Sequence, residues 1–431
     1  MDTFDEVLTW LKSHRPFGIK PGLERVEHLL AALDHPERRL LSVHIGGTNG
    51  KGSTLTYVQS ILQTSGLKVG TFTSPYIIQF EERISVNGTP IPQEDFISAA
   101  RAVAPHALAL EKTEWGPPTE FEILTVIANW YFAKISVPDI VLWEVGLGGR
   151  LDSTNVIQPI LSAITNVGKD HMHILGSEIA DIAKEKAGII KSAVPIITAS
   201  KDPEASTIIR ARAKEMRAPY YAFQEQYEML GSSMDEDGGT FSVRTPFHCY
   251  KNLHVFLRGE HQLKNGALAV MIADYLRVYL SLPIDEQSLA EGLAKAFWPG
   301  RLEKVQASPS VLMDGAHNPE GIEHLARFLI KMYPDRTLHI LTAFTQEKDP
   351  STLFAPLLSL DPANFIMTSF SHPRAADPTQ VSLDAEVFSD WKKGHHELIK
   401  RASANDIIVF AGSLYFISEV RQNFFGKKAG K

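Results

Sequence analysis

The sequence predicts an α/β protein in which a large N-terminal domain holds a P-loop-type parallel sheet and a smaller C-terminal domain is doubly wound and Rossmann-like. Strand-like apolar runs alternate with helix-like segments, which is typical of a parallel sheet with helices on its faces. The chain has 431 residues, more than one ordinary domain. The alternation breaks at residues 298–301 (Trp-Pro-Gly-Arg) and then restarts. We therefore expect one domain over residues 1–297 and a second over residues 298–431.

The elements of the N-terminal domain follow from periodicity and from turn residues. Apolar runs predict the strands, helical spacing of apolar residues predicts the helices, and Asn87-Gly88 is typical of a hairpin turn. We interpret residues 223–257 as short strands at an antiparallel edge. The predicted strands cover residues 40–45, 69–73, 83–86, 139–144, 159–167 and 194–199. The predicted helices begin near residue 51 and cover residues 93–110, 120–134, 177–190, 261–279 and 285–297.

The same signals return in the C-terminal part of the chain. Strands are expected at residues 310–314, 338–344, 365–367 and 406–410, and helices at residues 319–332 and 414–424. Because strands and helices alternate again, this part predicts a second, smaller parallel sheet with helices on both faces.

Composition limits the class of protein. A hydrophobic content of 44% with 22% charged residues is that of a globular enzyme, and a net charge of -7 gives no reason to expect a nucleic-acid partner. Cys249 is the single cysteine, so an internal disulfide is excluded and a reducing compartment is expected. The amino terminus is acidic where a signal peptide would be basic, and the most apolar helical stretch is too short to cross a membrane. We expect a cytoplasmic monomer without a membrane partner.

The glycine-rich stretch at residues 46–54 (Gly-Gly-Thr-Asn-Gly-Lys-Gly-Ser-Thr) joins a predicted strand to a predicted helix. Glycines let backbone N–H groups approach an anion, the helix N-terminus and Lys51 add positive charge, and Ser53 or Thr54 can reach a metal ion. Ile45 and Gly52 depart from the usual Walker pattern. A tight turn without a ligand is the alternative. The residues expected to bind phosphate are Thr48, Asn49, Gly50, Lys51, Gly52 and Ser53.

Three polar residues lie at the ends of predicted strands or just after them, where ligands gather in open parallel sheets. Glu144 is placed to hold magnesium beside the phosphates, although a capped strand is the alternative. His171 is expected on the same side of the sheet, as a metal ligand or as a solvated cap. Asp314 follows a strand of the second domain, where Asp-Gly is also a common turn pair.

Motifs along nearly the whole chain resemble those of a known family. The Gly-Lys-Gly-Ser ending of the glycine loop resembles the Mur ligase superfamily, in the version seen in folylpolyglutamate synthases. Residues 144–155 (Glu-Val-Gly-Leu-Gly-Gly-Arg-Leu-Asp-Ser-Thr-Asn) resemble the signature of folylpolyglutamate and dihydrofolate synthases. Further matches run in family order from residues 21–25 to residues 413–416. The resemblance implies an ATP-binding central domain over residues 1–297 and a glutamate-ligase domain over residues 298–431.

The implied reaction joins L-glutamate to the terminal carboxylate of a tetrahydrofolate (poly)glutamate. ATP would activate that carboxylate as an acyl phosphate, and ADP and phosphate would be released. The same enzyme could also convert dihydropteroate to dihydrofolate. The alternatives are a dihydrofolate synthase only, or a P-loop nucleotide-dependent regulatory module. A cell-wall Mur ligase is disfavoured by Gly52 and by the Gly-Leu-Gly-Gly-Arg run.

The resemblance also implies residue roles. The resemblance implies that the Lys186 amine is carbamylated by carbon dioxide. The sequence pattern alone would instead place Lys186 on an ordinary helix surface. Carbamylation needs the neutral amine, which is scarce at pH 7 unless burial or metal binding favours it. One magnesium ion or two would bind Ser74, Glu144, His171 and carbamylated Lys186. The implied catalytic residues are Lys51, Lys186 and His317. The implied ATP contacts beyond the glycine loop are Asn265, Arg301, Asp314 and His317. The implied contacts to folate, dihydropteroate or glutamate are Thr119, Phe121, Leu151, Asp152, Ser153 and Ser413.

Overall fold

A computed structural model describes residues 1–15, 20–381, 383 and 385–426. The N-terminal part contains an eight-stranded sheet. Its strands are β1 (Ser42–Gly46), β2 (Val69–Phe72), β3 (Ile84–Val86), β4 (Thr89–Pro90), β5 (Ile140–Glu144), β6 (Leu161–Ile164), β7 (Ile196–Thr198) and β8 (Tyr220–Ala222). They are ordered β4-β3-β2-β5-β1-β6-β7-β8, and all neighbours from β2 to β8 are parallel. The hairpin strands β3 and β4 are antiparallel, as the Asn87-Gly88 turn predicted.

Helices cover both faces of this sheet, which explains why its central strands are continuous apolar runs. The helices are α1 (Phe4–Ser13), α2 (Glu24–Ala32), α3 (Lys51–Thr64), α4 (Gln93–Leu110), α5 (Glu120–Tyr131), α6 (Met172–Leu175), α7 (Ile179–Ala187), α8 (Pro203–Glu215), α9 (Glu260–Leu280) and α10 (Glu286–Lys295). α3, α9 and α10 share a core with Val43 and Ile45 of β1. α2, α4 and α5 pack around Trp143, and α7 and α8 pack near β6 and β7. The predicted extension of α5 continues as a π turn, Phe132–Ser136.

Residues 223–257 contain the short antiparallel strands that the sequence predicts, but these strands are not an edge of the main sheet. These residues form a separate antiparallel sheet, β9 (Glu228–Asp235), β10 (Gly238–Arg244) and β11 (Cys249–Val255), in the order β11-β10-β9. The edge beside β7 is already taken by β8, a short strand that the sequence did not predict. Phe241 and Val243 of β10 are instead buried in the core that contains α9. The small sheet therefore stabilises a helix rather than extending the larger sheet.

The C-terminal part forms a six-stranded sheet, in which β12 is antiparallel and the other neighbours are parallel. Its strands are β12 (Glu303–Ala307), β13 (Ser310–Asp314), β14 (Leu338–Ala343), β15 (Asn364–Thr368), β16 (Glu386–Phe388) and β17 (Ile407–Gly412), in the order β12-β13-β17-β14-β15-β16. Its helices are α11 (Pro319–Met332), α12 (Pro350–Leu358), α13 (Trp391–Arg401) and α14 (Leu414–Phe425). α11 and α12 pack on one face, and α13 and α14 on the other. The predicted fold class is confirmed.

Several elements were not predicted from the sequence: α1, α2, α6, α8, α12, α13, β8, β12 and β16. Some of them are too short for a periodic pattern, such as α6 with four residues and β8 and β16 with three each. None of the helices in the described part of the chain has the length and apolar character needed to cross a bilayer. The loops that follow β1, β2, β5 and β6 face the loop that follows β13 across a shared cleft. The fold therefore brings the predicted site motifs to one place.

Candidate active site

The glycine loop has a backbone that requires glycine at two positions. Gly47 and Gly50 have φ angles of 145° and 83°, and a Cβ on Gly47 would lie 1.8 Å from the Thr165 hydroxyl oxygen. The Lys51 ammonium group donates hydrogen bonds to the carbonyl oxygens of Gly47 at 3.1 Å and Thr48 at 3.2 Å. The loop thus curls around its own lysine at the N-terminus of α3, an arrangement suited to an anion.

Gly52, which departs from the Walker pattern, lies against the segment that leads into the C-terminal part. A Cβ on Gly52 would lie 3.1 Å from the Trp298 indole. The hydroxyl of Ser53 accepts a hydrogen bond from the buried Gln262 side chain at 3.2 Å. Asn265 lies beside Gly50, since a Cβ there would come within 2.5 Å of the Asn265 amide oxygen. Because of the short distance to Trp298, the side chain of a serine at position 52 would press on the Trp298 indole.

One polar cavity collects most of the residues predicted for phosphate and metal. Its walls include glycine-loop residues, polar residues at or after the ends of β2, β5 and β6, residues just before β12, and residues at or after the end of β13. The predicted residues on its walls are Thr48, Asn49, Gly50, Lys51, Gly52, Ser53, Ser74, Glu144, His171, Lys186, Arg301, Asp314 and His317.

Glu144 and Ser74 form the oxygen-rich part of this cavity. The buried Glu144 carboxylate accepts a hydrogen bond from the Ser74 backbone N–H at 3.1 Å. Burial raises the pKa of Glu144, and the nearby Lys51 charge opposes that shift. Among the described residues there is no group of three His, Cys, Asp or Glu that could hold a metal by itself. Magnesium usually binds one or two carboxylates together with phosphates and water, so the residues present fit this ion.

His171 and Lys186 complete the predicted metal set. Burial lowers the pKa of His171, which favours the neutral imidazole that can coordinate a metal. Lys186 is only 3% exposed, so the surface location expected from pattern alone is wrong. α7 packs against the glycine turn after β5, where a Cβ on Gly149 would lie 3.2 Å from the Lys186 Cα. Burial, with a contribution from Lys51, lowers the pKa of Lys186 to about 7. A large fraction of its amine is therefore neutral near pH 7.

The C-terminal part contributes Asp314 and His317. The Asp314 carboxylate accepts backbone hydrogen bonds from Leu302 and Ala316, both at 2.8 Å, and burial raises its pKa. His317 donates from Nδ1 to the Gly315 carbonyl at 2.7 Å, an assignment that follows because a carbonyl can only accept. Burial lowers the pKa of His317 to about 4. The imidazole is therefore neutral, with Nε2 available as an acceptor.

A second cavity of about 950 Å³ joins the first and has the size of a small-molecule site. The two cavities share Ser74, His171 and His317 on their walls. Aromatic side chains of Tyr76 and Tyr415 line the larger one. The residues predicted for substrate are also on its walls: Thr119, Phe121, Leu151, Asp152, Ser153 and Ser413.

Some of the predicted substrate residues also have a local structural role. Thr119 caps α5 by accepting the Glu122 N–H at 3.3 Å. Asp152 accepts the N–H groups of Leu147 at 2.8 Å and Thr154 at 3.0 Å, which shapes the turn after β5. Phe121 packs on that turn, where a Cβ on Gly146 would lie 2.7 Å from its ring.

Sequence reasoning missed several residues of the site. Asp170 is buried and accepts a hydrogen bond from the Lys348 ammonium group at 2.8 Å. Arg83 lines the larger cavity with its guanidinium carbon 5.4 Å from the centre of the Tyr76 ring. The position of Asp170 immediately before His171 was a usable signal. Lys348 and Arg83 offered no comparable signal, because only the fold brings them to the cavity.

Comparisons with known proteins agree with this geometry. The sequence matches the Mur ligase middle domain over residues 117–273 and the Mur ligase glutamate ligase domain over residues 300–414. It is 41% identical over 424 residues to the dihydrofolate synthase/folylpolyglutamate synthase of Bacillus subtilis, covering 97% of this chain and 98% of the relative. It is 33% identical to the folylpolyglutamate synthase of Lacticaseibacillus casei, covering 99% of this chain and all of the relative.

Two solved structures are similar to this chain over nearly its whole length. The folylpolyglutamate synthase of Mycobacterium tuberculosis complexed with ADP has a TM-score of 0.89 at 28% identity, covering 98% of both chains. The apo form of the L. casei FPGS has a TM-score of 0.88 at 31% identity, covering 98% of this chain and 100% of that chain. The resemblance carried by the motifs is confirmed: the chain belongs to the Mur ligase superfamily, in the branch of the folylpolyglutamate and dihydrofolate synthases, which are carbon–nitrogen ligases.

Proposed function

We propose that the protein uses ATP to join L-glutamate to the terminal carboxylate of a tetrahydrofolate (poly)glutamate. The observation that carries this proposal is the junction of two cavities at Ser74, His171 and His317. One cavity has a phosphate-type loop and buried charges, and the other has aromatic walls and the volume for a pterin substrate. At their junction, a carboxylate from the larger cavity can reach a phosphate held in the smaller one.

Binding of ATP at the glycine loop is supported by the loop geometry and by relatives. Lys51, the N-terminus of α3 and the backbone of the loop supply positive potential for the phosphates. A solved structure described as an FPGS-AMPPCP-folate complex has a TM-score of 0.86 at 29% identity. In the present chain, Asn265, Arg301 and Asp314 would hold the rest of the nucleotide.

The chemistry requires activation, because a carboxylate is a poor electrophile. In the proposed first step, a carboxylate oxygen attacks the γ-phosphorus and ADP leaves, which forms an acyl phosphate. In the second step, the glutamate amine attacks the acyl carbon, phosphate leaves, and the amine loses a proton as the amide forms. The Lys51 charge stabilises the transferred phosphoryl group. Neutral His317 lies on the walls of both cavities, where it can orient the reacting groups.

Magnesium would be held by Glu144, Ser74 and His171, with carbamylated Lys186 as a further anion. When bound, it would neutralise phosphate charge during transfer. Glu144 positions the Ser74 loop through its hydrogen bond to the Ser74 N–H. The lowered pKa of Lys186 supplies the neutral amine that carbon dioxide needs. The hydrogen bond between Glu144 and Ser74 thus holds two of the proposed magnesium ligands next to each other.

We also propose that residues 1–297 form the ATP-binding domain and residues 298–431 the glutamate-ligase domain. The two family matches lie on either side of this boundary, at residues 117–273 and 300–414. Each part has its own sheet and its own buried clusters. A site split between two domains could close and keep water away from the acyl phosphate.

A second candidate activity is the addition of the first glutamate to dihydropteroate. The B. subtilis relative, at 41% identity, bears both names, dihydrofolate synthase and folylpolyglutamate synthase. Thr119, Phe121 and Asp152 lie together on the wall of the larger cavity, where a pterin ring would pack against Phe121. We propose that the protein carries out both reactions.

The experiment is a measurement of ADP release with ATP, magnesium and L-glutamate while dihydropteroate or tetrahydrofolate is supplied in turn. We expect ADP release only with a pterin substrate, matched by formation of the amide product. ADP release that ignores both pterins would overturn the ligase proposal and favour a regulatory nucleotide-binding module. Activity with tetrahydrofolate alone would remove the second candidate activity, and activity with dihydropteroate alone would remove the first.

A further inference from the structure

Two carboxylates, one from each side of the cleft, are held by residues of the opposite side: Asp170 is buried, whereas the Glu320 side chain is 39% exposed. Asp170 follows β6, and its carboxylate accepts hydrogen bonds from the Asn318 amide at 3.0 Å and from Lys348 at 2.8 Å. Asn318 is the N-cap of α11, and Lys348 precedes α12. The carboxylate of the N-terminal part is therefore bound by two groups of the C-terminal part.

Glu320 makes the reciprocal contact from α11. Its carboxylate accepts hydrogen bonds from the Asn49 side-chain amide at 2.7 Å and from the Asn166 side-chain amide at 2.9 Å. Asn318 joins the two contacts, because its amide also donates to the Asn49 side-chain oxygen at 2.9 Å. We call the five residues Asn49, Asn166, Asp170, Asn318 and Glu320, together with Lys348, the interdomain clasp.

The clasp contacts the glycine loop through Asn49. The backbone N–H of Asn49 donates to the Asn166 side-chain oxygen at 2.8 Å, and the Asn49 side chain is held by Glu320 and Asn318. A Cβ on Gly168 would lie 2.8 Å from a Glu320 carboxylate oxygen, so α11 sits directly on the loop after β6. The side chain of Asn49, in the glycine loop, is thus held by contacts that exist only when the C-terminal part is docked.

Burial makes the contact between Asp170 and Asn318 stronger than an ordinary surface pair. Asn318 is 1% exposed, and Asp170 is buried between Lys348, His171 and His317. Hydrogen bonds to a charged group in such surroundings are roughly twice as strong as neutral ones. Another ion pair crosses the cleft, between Lys331 and Glu260, but its side chains are 54% and 60% exposed. A pair in that environment contributes little.

We propose that Asp170 and Glu320 are positioning residues that set the glycine loop through the interdomain clasp, so that ATP is committed to phosphoryl transfer only when the C-terminal part is docked. This inference rests on the proposed function. Neither carboxylate needs to touch the substrate. Glu320 acts on the loop through Asn49 and Asn166, and Asp170 acts on the opposite side through Asn318 and Lys348. An undocked enzyme would hold the nucleotide on an incomplete loop.

The test uses Glu320→Gln, with Glu260→Gln as the matched control from the exposed pair. A glutamine at position 320 presents an NH₂ group to two amide donors, so one hydrogen bond is lost without a change in volume. We expect kcat to fall about 10- to 100-fold, as for a misplaced reacting group. We also expect the ratio of ADP released to amide formed to rise above that of the wild type, while the thermal unfolding temperature stays close to that of Glu260→Gln.

A second variant, Asn49→Ala, tests the route through the loop. If Glu320 acts through Asn49, the loss of kcat in Asn49→Ala combined with Glu320→Gln will be smaller than the product of the two separate losses. The proposed role of the clasp would be overturned if Glu320→Gln had the same kcat and the same ratio of ADP to amide as Glu260→Gln. It would also be overturned if the loss of kcat in the double variant equalled the product of the two separate losses. Failure of the wild type to show pterin-dependent ADP release would instead contradict the proposed function.

Discussion

The carboxylate of Glu144 accepts a hydrogen bond from the backbone N–H of Ser74 at 3.1 Å. This contact ties the end of β5 to the loop after β2, two neighbouring strands of the main sheet. One side chain therefore shapes the wall shared by the two cavities, and its carboxylate is the group that we propose to hold magnesium.

We expect Glu144→Ala to abolish turnover while the fold survives, and Glu144→Gln to lower kcat by roughly 100-fold or more, because both remove the charge that would hold magnesium. The measurement is ADP release over a magnesium titration, with thermal unfolding as the check on folding. Glu291→Gln, which alters an exposed pair with Lys295, is the control. Wild-type activity in Glu144→Ala would show that this carboxylate is not a required ligand.

Lys186 should make the enzyme respond to carbon dioxide. Its pKa of about 7 leaves much of the amine neutral, so we expect activity to fall in buffer freed of carbon dioxide and to return when bicarbonate is added. Lys186→Met should be inactive and should not respond to bicarbonate. A carbamate signal from ¹³C-labelled bicarbonate in the NMR spectrum of the wild type, absent in Lys186→Met, would support the assignment.

The control for this experiment lies on the same helix. Lys184 is 67% exposed and pairs with Asp181, so Lys184→Met should keep both the activity and the response to bicarbonate. Full activity of the wild type without carbon dioxide, with no carbamate signal, would contradict carbamylation of Lys186.

Phe121→Leu tests the larger cavity as the pterin site. The Phe121 ring packs on the turn at Gly146 and lies on the cavity wall. Stacking on an aromatic ring contributes about 0.5–1.5 kcal/mol, so we expect the KM for the pterin substrate to rise roughly 2- to 10-fold. The KM for ATP should stay the same, because the nucleotide would bind in the other cavity. A rise in the KM for ATP alone would place the pterin elsewhere.

His44 should contribute to the loss of stability in acid. It is fully buried on β1, and burial lowers its pKa to about 3. Since the unfolded histidine has a pKa of about 6.5, the unfolded chain binds a proton below that pH that the folded chain does not. The stability from the neutral form is therefore present above pH 6.5 and is lost as the pH falls toward 3, by about 2 kcal/mol at pH 5.

The measurement is the free energy of unfolding of the wild type and of His44→Asn by urea between pH 7.5 and pH 5. Asparagine keeps a hydrogen-bonding group near Thr154, whose hydroxyl lies 2.9 Å from the His44 Nε2, but does not titrate. The difference in stability between the two proteins should shrink as the pH falls. A constant difference across this range would contradict a depressed pKa at His44.

Much of this fold was readable because its signals are local. Three predicted elements have the same bounds in the structure: the helix at residues 93–110 is α4, the helix at residues 319–332 is α11, and the strand at residues 310–314 is β13. The periods of helix and strand repeat within a few residues, so they need no knowledge of distant contacts. The family motifs are also contiguous in the chain, which is why the class of enzyme could be inferred from them.

The sequence by itself determined the α/β class, the order of most of the longer elements and the motifs that gather at the ends of the strands. Only the tertiary structure decided that Lys186 is buried, that residues 228–255 form a separate sheet, and that Asp170 and Glu320 are each held from across the cleft. Burial and charge depend on which distant residues pack together, and Asn49 and Glu320 lie far apart in the chain. A local sequence pattern does not predict such contacts, because they form only when the N-terminal and C-terminal parts of the chain pack together.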